Sequence, residues 1–259
     1  MVNLKKYNVV ATQFVLFLTF IFLLSCGTKR YDVTKIEGKE INITASAGEV
    51  SAISDFIKPY RDHIDADLNT VLAFAPQTFD KSGQWQTTIG NLMADESLKR
   101  SNKIFKSREN KAISICLLNI GGVRSIIPKG DVTTRTAFEI MPFENSLVVA
   151  ELKGEQIMEM VQYIIVEKKA HPLSGLSFEI DKDGISHNIL VQGKPFDIKA
   201  TYEVVSSDYL INGGDRMDFF KKAVRLTDID YKLRNVLIDY FKEIDTIAVD
   251  NSVRIRVSK

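Results

Sequence analysis

The sequence predicts an α/β (α+β) fold: a single globular domain in which mixed β-sheets are flanked by helices. Segments at 47–71, 88–106 and 155–168 place apolar residues three and four apart, as a helix with one buried face requires. Short alternating or wholly apolar runs of strand length lie between and after them. The two kinds of segment do not alternate strictly, which points to a mixed sheet.

Lys35–Thr44 alternates like a strand, with Ile36, Ile41 and Ile43 on its apolar positions. Ala47–Val71 has helical spacing through Val50, Ile53, Ile57, Ile64 and Leu68, and Pro59 is expected to kink or split that helix. Thr88–Lys106 reads as a second helix with Ile89, Leu92, Met93, Leu98 and Ile104 as its stripe, and Gly90-Asn91 serves its start. Ala112–Asn119 is continuously apolar and suits a strand buried on both faces. Gly121-Gly122 ends it, and Pro128-Lys129-Gly130-Asp131 marks a turn. Leu147–Leu152 is the next strand, followed by a helix over Glu155–Lys168. Leu176–Ile180, Asn188–Val191 and Thr201–Ser206 are further strands, Tyr231–Phe241 a late helix and Val253–Val257 a final strand.

The first residues have a separate purpose. Lys5-Lys6 precedes a mostly apolar run from Val9 to Leu24, which ends in Leu23-Leu24-Ser25-Cys26-Gly27. This reads as a signal peptide over residues 1–25. Its end resembles a bacterial lipobox, in which Cys26 is lipidated and becomes the new N-terminus. Residues 26–34 then form a tether and 35–259 the domain. The expected location is the bacterial cell envelope, lipid-anchored and facing the periplasm. An uncleaved membrane anchor is the weaker alternative, because the apolar run falls short of the ~20 residues a spanning helix needs.

Loss of Lys5 and Lys6 takes the 34 basic residues to 32, against 33 acidic ones. Such a balance argues against nucleic acid as a partner. Once Cys26 carries a lipid, Cys116 is the one remaining thiol, so no internal disulfide forms. Within its apolar run Cys116 reads as a small buried hydrophobe.

Three clusters carry the chemistry: Asn119-Ile-Gly-Gly-Val-Arg124, Met141-Pro-Phe-Glu-Asn145 and Ser207-Asp-Tyr-Leu-Ile-Asn-Gly-Gly-Asp215. They supply a fixed cation, two aromatic faces, a carboxylate and glycine pairs that admit a ligand to the backbone. That is the inventory of a nucleotide pocket. With Gly90-Asn-Leu-Met-Ala-Asp95 and Ser174-Gly175, the clusters stand in the order and approximate spacing of the C-terminal domain of the 5′-nucleotidase / UDP-sugar hydrolase family, which the chain resembles over roughly 70–220. The resemblance implies that this domain binds the nucleotide, while a separate metallophosphoesterase domain with two metal ions hydrolyses it.

On this resemblance the substrate-binding residues are Asn119, Gly122, Arg124, Phe143, Gly175, Tyr209 and Asp215. Arg124 offers a rigid fork of donors to phosphate, Phe143 and Tyr209 match the family's base clamp, and Asp215 takes the place of the carboxylate that accepts ribose hydroxyls. Asn119 holds the glycine turn or donates to the ligand. The chain also departs from the pattern. Gly83-Gln-Trp-Gln86 replaces an arginine and a glutamate, with Lys81 as a candidate substitute cation. Glu144 follows Pro-Phe where glycine is customary, and Arg216 follows Asp215 where glycine is usual.

No catalyst of its own is expected. A two-metal phosphatase needs several His, Asp and Asn ligands, whereas His63, His171 and His187 are isolated in the sequence. Ser174 lacks a visible base, and the pairs Asp181/Asp183 and Asp228/Asp230 read as solvated turns and helix starts. Catalytic residues, metal site and cofactor are therefore expected to be absent from this chain, the divalent metal pair belonging to a separately encoded metallophosphoesterase partner. The alternative is a non-catalytic lipoprotein that binds nucleotides or nucleotide sugars, and a third reading is a structural lipoprotein with a decayed pocket.

Overall fold

The computed structural model describes residues 4–23 and 31–258. Helix α1, Leu4–Leu23, covers the apolar stretch of the expected signal peptide. Cys26, the cleavage pattern after Leu23 and residues 26–30 of the tether lie outside the described residues. Among those described, no helix is long and apolar enough to cross a membrane. The chain divides into two units, Met1–Ser51 and Ala52–Lys259.

The strand expected at Lys35–Thr44 is not there. Residues 31–44 have no regular structure, and Ile36, Ile41 and Ile43 are 88%, 81% and 93% exposed. Alternation makes a strand only where a neighbour accepts its ladder of hydrogen bonds, and no described residue pairs with this segment. Helix α2, Ser51–Leu68, runs through Pro59 without splitting. The proline leaves the Asp55 carbonyl without its helical donor, but no residue of α2 is buried, so water is at hand. Arg135 secures its last turn by donating to Asp65 at 2.7 Å and to Asn69 at 3.0 Å.

The remaining elements are β1 (Val71–Ala75), α3 (Thr88–Glu109), β2 (Ile115–Leu117), β3 (Gly130–Thr133), α4 (Thr134–Ile140), β4 (Ser146–Lys153), α5 (Gly154–Glu167), β5 (Leu173–Ser174), β6 (Leu176–Ile180), β7 (Ser186–Val191), β8 (Lys194–Pro195), β9 (Thr201–Ser207), α6 (Asp208–Ile211), β10 (Arg225–Lys232), α7 (Leu233–Glu243) and β11 (Ile255–Val257). Helix α3 starts as its sequence predicts: Thr87 caps it by accepting from the Gly90 amide at 3.0 Å. Asn110, in the left-handed conformation at φ 54°, closes it.

A five-stranded sheet in the order β10-β4-β9-β2-β5 forms the centre. It is mixed, since β2 runs parallel to β9 while β4 pairs antiparallel with both β9 and β10. Its two faces bury different cores. Cys116 and Val205 face Met93, Phe105, Val236 and Phe241 of α3 and α7. Ile115, Leu117 and Val204 face Ile157, Met160 and Ile164 of α5, with Phe220. Burial on both faces explains why this segment reads as an unbroken apolar run.

Strand β10 corrects another expectation. Asp228 and Asp230 lie neither in a turn nor at a helix start: Asp228 pairs with Val148 in the ladder, and Asp230, at φ 51°, sits in the register shift that follows. The helix expected from Tyr231 consequently begins at Leu233.

Cys116 is fully buried, and burial pushes its thiol pKa far above the ordinary value. In a Cys26→Ser chain, a thiol reagent is expected to label Cys116 only upon addition of denaturant. Stoichiometric labelling of the folded protein would contradict this burial.

Candidate functional site

The topology of the central sheet delivers three segments to one edge. Parallel strands β2 and β9, in register at Ile115↔Val204 and Cys116↔Val205, both end there, so the glycine turn after β2 and helix α6 after β9 emerge side by side. Antiparallel β4 starts at that edge, with Leu147 opposite Ser207, and brings residues 141–145 in front of it. The resulting cavity has a volume of about 660 Å³, the size that suits a small-molecule ligand. Asn119, Gly122, Arg124, Phe143, Tyr209 and Asp215 line it, together with Gly121, Glu144 and Asn145.

Each wall is bonded to the other two. Asn119 Nδ2 donates to Asp215 Oδ2 at 2.7 Å, joining the glycine turn to the Asp215 loop. Asn145 Nδ2 donates to Asp208 Oδ1 at 2.8 Å, joining the Phe143 wall to α6. The Arg124 amide donates to the Ile140 carbonyl at 2.8 Å, and its guanidinium lies 5.8 Å from the centre of the Phe143 ring.

Phe143 and Tyr209 are 43% and 47% exposed, so neither ring belongs to the core. Tyr209 is the second residue of α6, whose cap is Ser207 accepting from the Leu210 amide at 3.3 Å. Its hydroxyl donates to Asp215 Oδ1 at 2.9 Å, and that charge-bearing acceptor raises the phenol pKa. A side chain at Gly214 would meet the Tyr209 ring at 2.5 Å, which accounts for the glycine. Asp215 thus accepts one bond on each carboxylate oxygen, and a carboxylate has about four acceptor positions. The remaining positions are available for a ligand's hydroxyls.

Asp215 and Arg216 both adopt left-handed backbone, at φ 52° and 61°. That conformation costs a non-glycine residue roughly 1–2 kcal/mol, a strain a glycine at position 216 would avoid. Tyr163 holds the loop by donating to the Asp215 carbonyl at 2.9 Å, and Arg216 reaches Glu167 at 3.4 Å. Burial raises the Tyr163 phenol pKa to about 12, so it remains a donor.

Gly175 is not part of this cavity. At φ 77° it lies between β5 and β6 with Ser114's carbonyl where a Cβ would sit, and it lines a different depression with Asp95, Gln192 and Arg254. Ser174 there donates to Asp95 at 2.6 Å, so its hydroxyl is a structural tie. Lys81 and Gln86 do not line the cavity either. Lys81 donates to the Val123 carbonyl at 2.9 Å, and Gln86 fixes the last strand by accepting from the Arg254 amide at 2.7 Å.

Two neighbours of the site have no motif in the sequence. His171 is 3% exposed beneath the glycine turn, where Nδ1 accepts from the Ile120 amide at 3.4 Å. Arg234 of α7 is 8% exposed behind the Phe143 wall. His63, by contrast, is exposed 3.6 Å from Asp67, and His187 pairs with Asp181 at 2.7 Å.

The donors do not fit a metal pair. The cavity's two carboxylates are Asp215, committed to Asn119 and Tyr209, and Glu144, paired with Arg234 at 2.7 Å. Among the described residues no three His, Cys, Asp or Glu side chains converge as a ligand set.

Comparison with known proteins agrees with this architecture. The sequence profile described as "5′-nucleotidase, C-terminal domain" matches residues 68–222, more than half of the chain. An apyrase of Tabanus yao is 21% identical over 248 residues, covering 87% of this chain and 45% of that protein. The UshA protein of Yersinia enterocolitica is 26% identical over 207 residues, covering 72% of this chain and 37% of the relative. Among solved structures, a 5′-nucleotidase precursor from Thermus thermophilus superposes with a TM-score of 0.67 at 26% identity, over 80% of this chain and 43% of that one. The chain spans less than half the length of these relatives. On the matched span and the shared fold, it belongs to the 5′-nucleotidase C-terminal domain family.

Proposed function

We propose that this chain is the nucleotide-binding half of a 5′-nucleotidase-type phosphohydrolase, anchored in the bacterial envelope through a lipid on Cys26 and facing the periplasm. Catalysis comes from a separately encoded metallophosphoesterase carrying the divalent metal pair. The observation that carries the reading is the convergence of two half-exposed rings, Phe143 and Tyr209, with Arg124 and Asp215 on one cavity. The base stacks on the rings, Asp215 accepts the ribose hydroxyls and Arg124 meets the phosphate. Among the described residues no nucleophile with an adjacent base lines the cavity, which supports a division of labour.

Titration with AMP and adenosine tests the binding claim. Asp215→Asn, which keeps the size and removes a charged acceptor, is expected to weaken both ligands about tenfold to a hundredfold. Arg124→Ala is expected to weaken AMP more than adenosine. Equal losses for the two ligands would remove the phosphate role from Arg124. Affinity capture from the native membrane, assayed for AMP hydrolysis, tests the partner. Hydrolysis by the purified chain with divalent metal, abolished by chelator, would overturn the split. An intact chain that binds AMP but never acquires hydrolysis with membrane partners is the non-catalytic binding lipoprotein.

A further inference from the structure

The wall that carries Phe143 has an unusual support. Five consecutive carbonyls, from Met141 to Asn145, accept hydrogen bonds from the three-residue run Lys232-Leu233-Arg234. Arg234 Nε donates to Met141 at 2.7 Å, and one terminal nitrogen of the same guanidinium is shared by Pro142 at 2.9 Å and Phe143 at 3.1 Å. Lys232 Nζ donates to Glu144 at 2.9 Å, and the Leu233 amide donates to Asn145 at 2.9 Å. The Glu144 carboxylate pairs with Arg234 at 2.7 Å, and the Phe138 ring lies against the guanidinium at 4.2 Å.

We infer that Lys232-Leu233-Arg234 is the positioning element of the cavity, with Arg234 setting where the Phe143 ring stands. A loop of this kind has no ladder of its own, so its shape depends on whatever satisfies its carbonyls. Here one planar cation supplies three of them, because its donors are fixed in one fork that a lysine lacks. Its charge is balanced by Glu144, so the family departure at that position gains a purpose: it is the counter-ion of the brace. Arg234 acts through Phe143 and touches no ligand.

The positioning claim stands without a ligand; its effect on recognition rests on the nucleotide reading. The test is Arg234→Lys in the full chain, with Lys232→Met as a second variant that removes an anchor without opening the buried guanidinium site. Hydrogen exchange is expected to accelerate in residues 141–146 and to stay unchanged elsewhere, with Lys232→Met showing the smaller effect. Unchanged exchange at 141–146 in a folded Arg234→Lys chain, or in Lys232→Met if the first does not fold, overturns the inference. AMP affinity is expected to fall about fivefold to tenfold in Arg234→Lys. In a Phe143→Ala background the same change is expected to have no further effect. Additive losses would mean that Arg234 does not act through the ring. Absence of AMP binding by the parent chain would sink the nucleotide reading alone, and the exchange experiment would still decide the brace.

Discussion

Removing both rings, Phe143→Ala with Tyr209→Ala, is expected to weaken AMP and adenosine by roughly thirtyfold to ten-thousandfold, since base–aromatic stacking is worth ~1–3 kcal/mol for each contact. The fold is expected to survive, because both side chains are nearly half exposed and their loss opens no core cavity. Tyr209→Phe separates two contributions that the alanine merges. It keeps the stacking face and removes the hydroxyl that binds Asp215, so its loss is expected to be much smaller. Calorimetric titration of the parent chain, the double alanine variant and Tyr209→Phe measures all of this. Nucleoside affinity that persists without either ring would refute the clamp.

Stability is expected to fall by about 3 kcal/mol between pH 6.5 and pH 4 through His171 alone. Burial, with a smaller contribution from Lys169, holds its folded pKa near 4 against the ordinary 6.5; Asp215 and Glu167 oppose the shift only in part. The folded imidazole is neutral, with Nδ1 accepting from Ile120, and Nε2 has no partner among the described residues. Through this window the unfolded chain binds a proton that the folded chain refuses, so stability drops as pH falls through 6.5 and levels off below 4. Carboxylates held low by hydrogen bonds, such as Asp80 and Glu151, act at and below their ordinary 3.8 and 4.5. Urea midpoints at pH 7, 6.5, 6 and 5.5, above the range of these carboxylates, isolate the histidine. His171→Asn, which keeps an acceptor for the Ile120 amide and does not titrate, is expected to flatten the profile. A flat profile in the parent chain would contradict the buried neutral ring.

The readable parts of the sequence were those where side chains record their surroundings. Helices α3 and α5 carry periodic apolar stripes, and β2 is apolar throughout because both its faces are covered. Strand β10 escaped notice because it is an edge strand with one fully buried side chain, Ile229, so its residues read as a charged turn. Lys35–Thr44 misled in the opposite sense, since its pattern has no partner to pair with among the described residues. At the cavity, Arg124, Phe143, Tyr209 and Asp215 were legible as a set because each does its work with a distinctive side chain on a turn. Lys232 and Arg234 were not, because the groups they hold are main-chain carbonyls, which any sequence supplies. His171 reads as an isolated histidine in the sequence, and only the packing of Tyr163 and the glycine turn around it makes it a neighbour of the site.

The pairwise seams between the three walls set how a guest can arrive. Swinging any one wall outward would break its bonds to both neighbours at once, so the cleft has no leaf free to act as a door. A ligand therefore meets a shape already formed, and its capture is expected to be governed by collision and orientation rather than by waiting for a rearrangement.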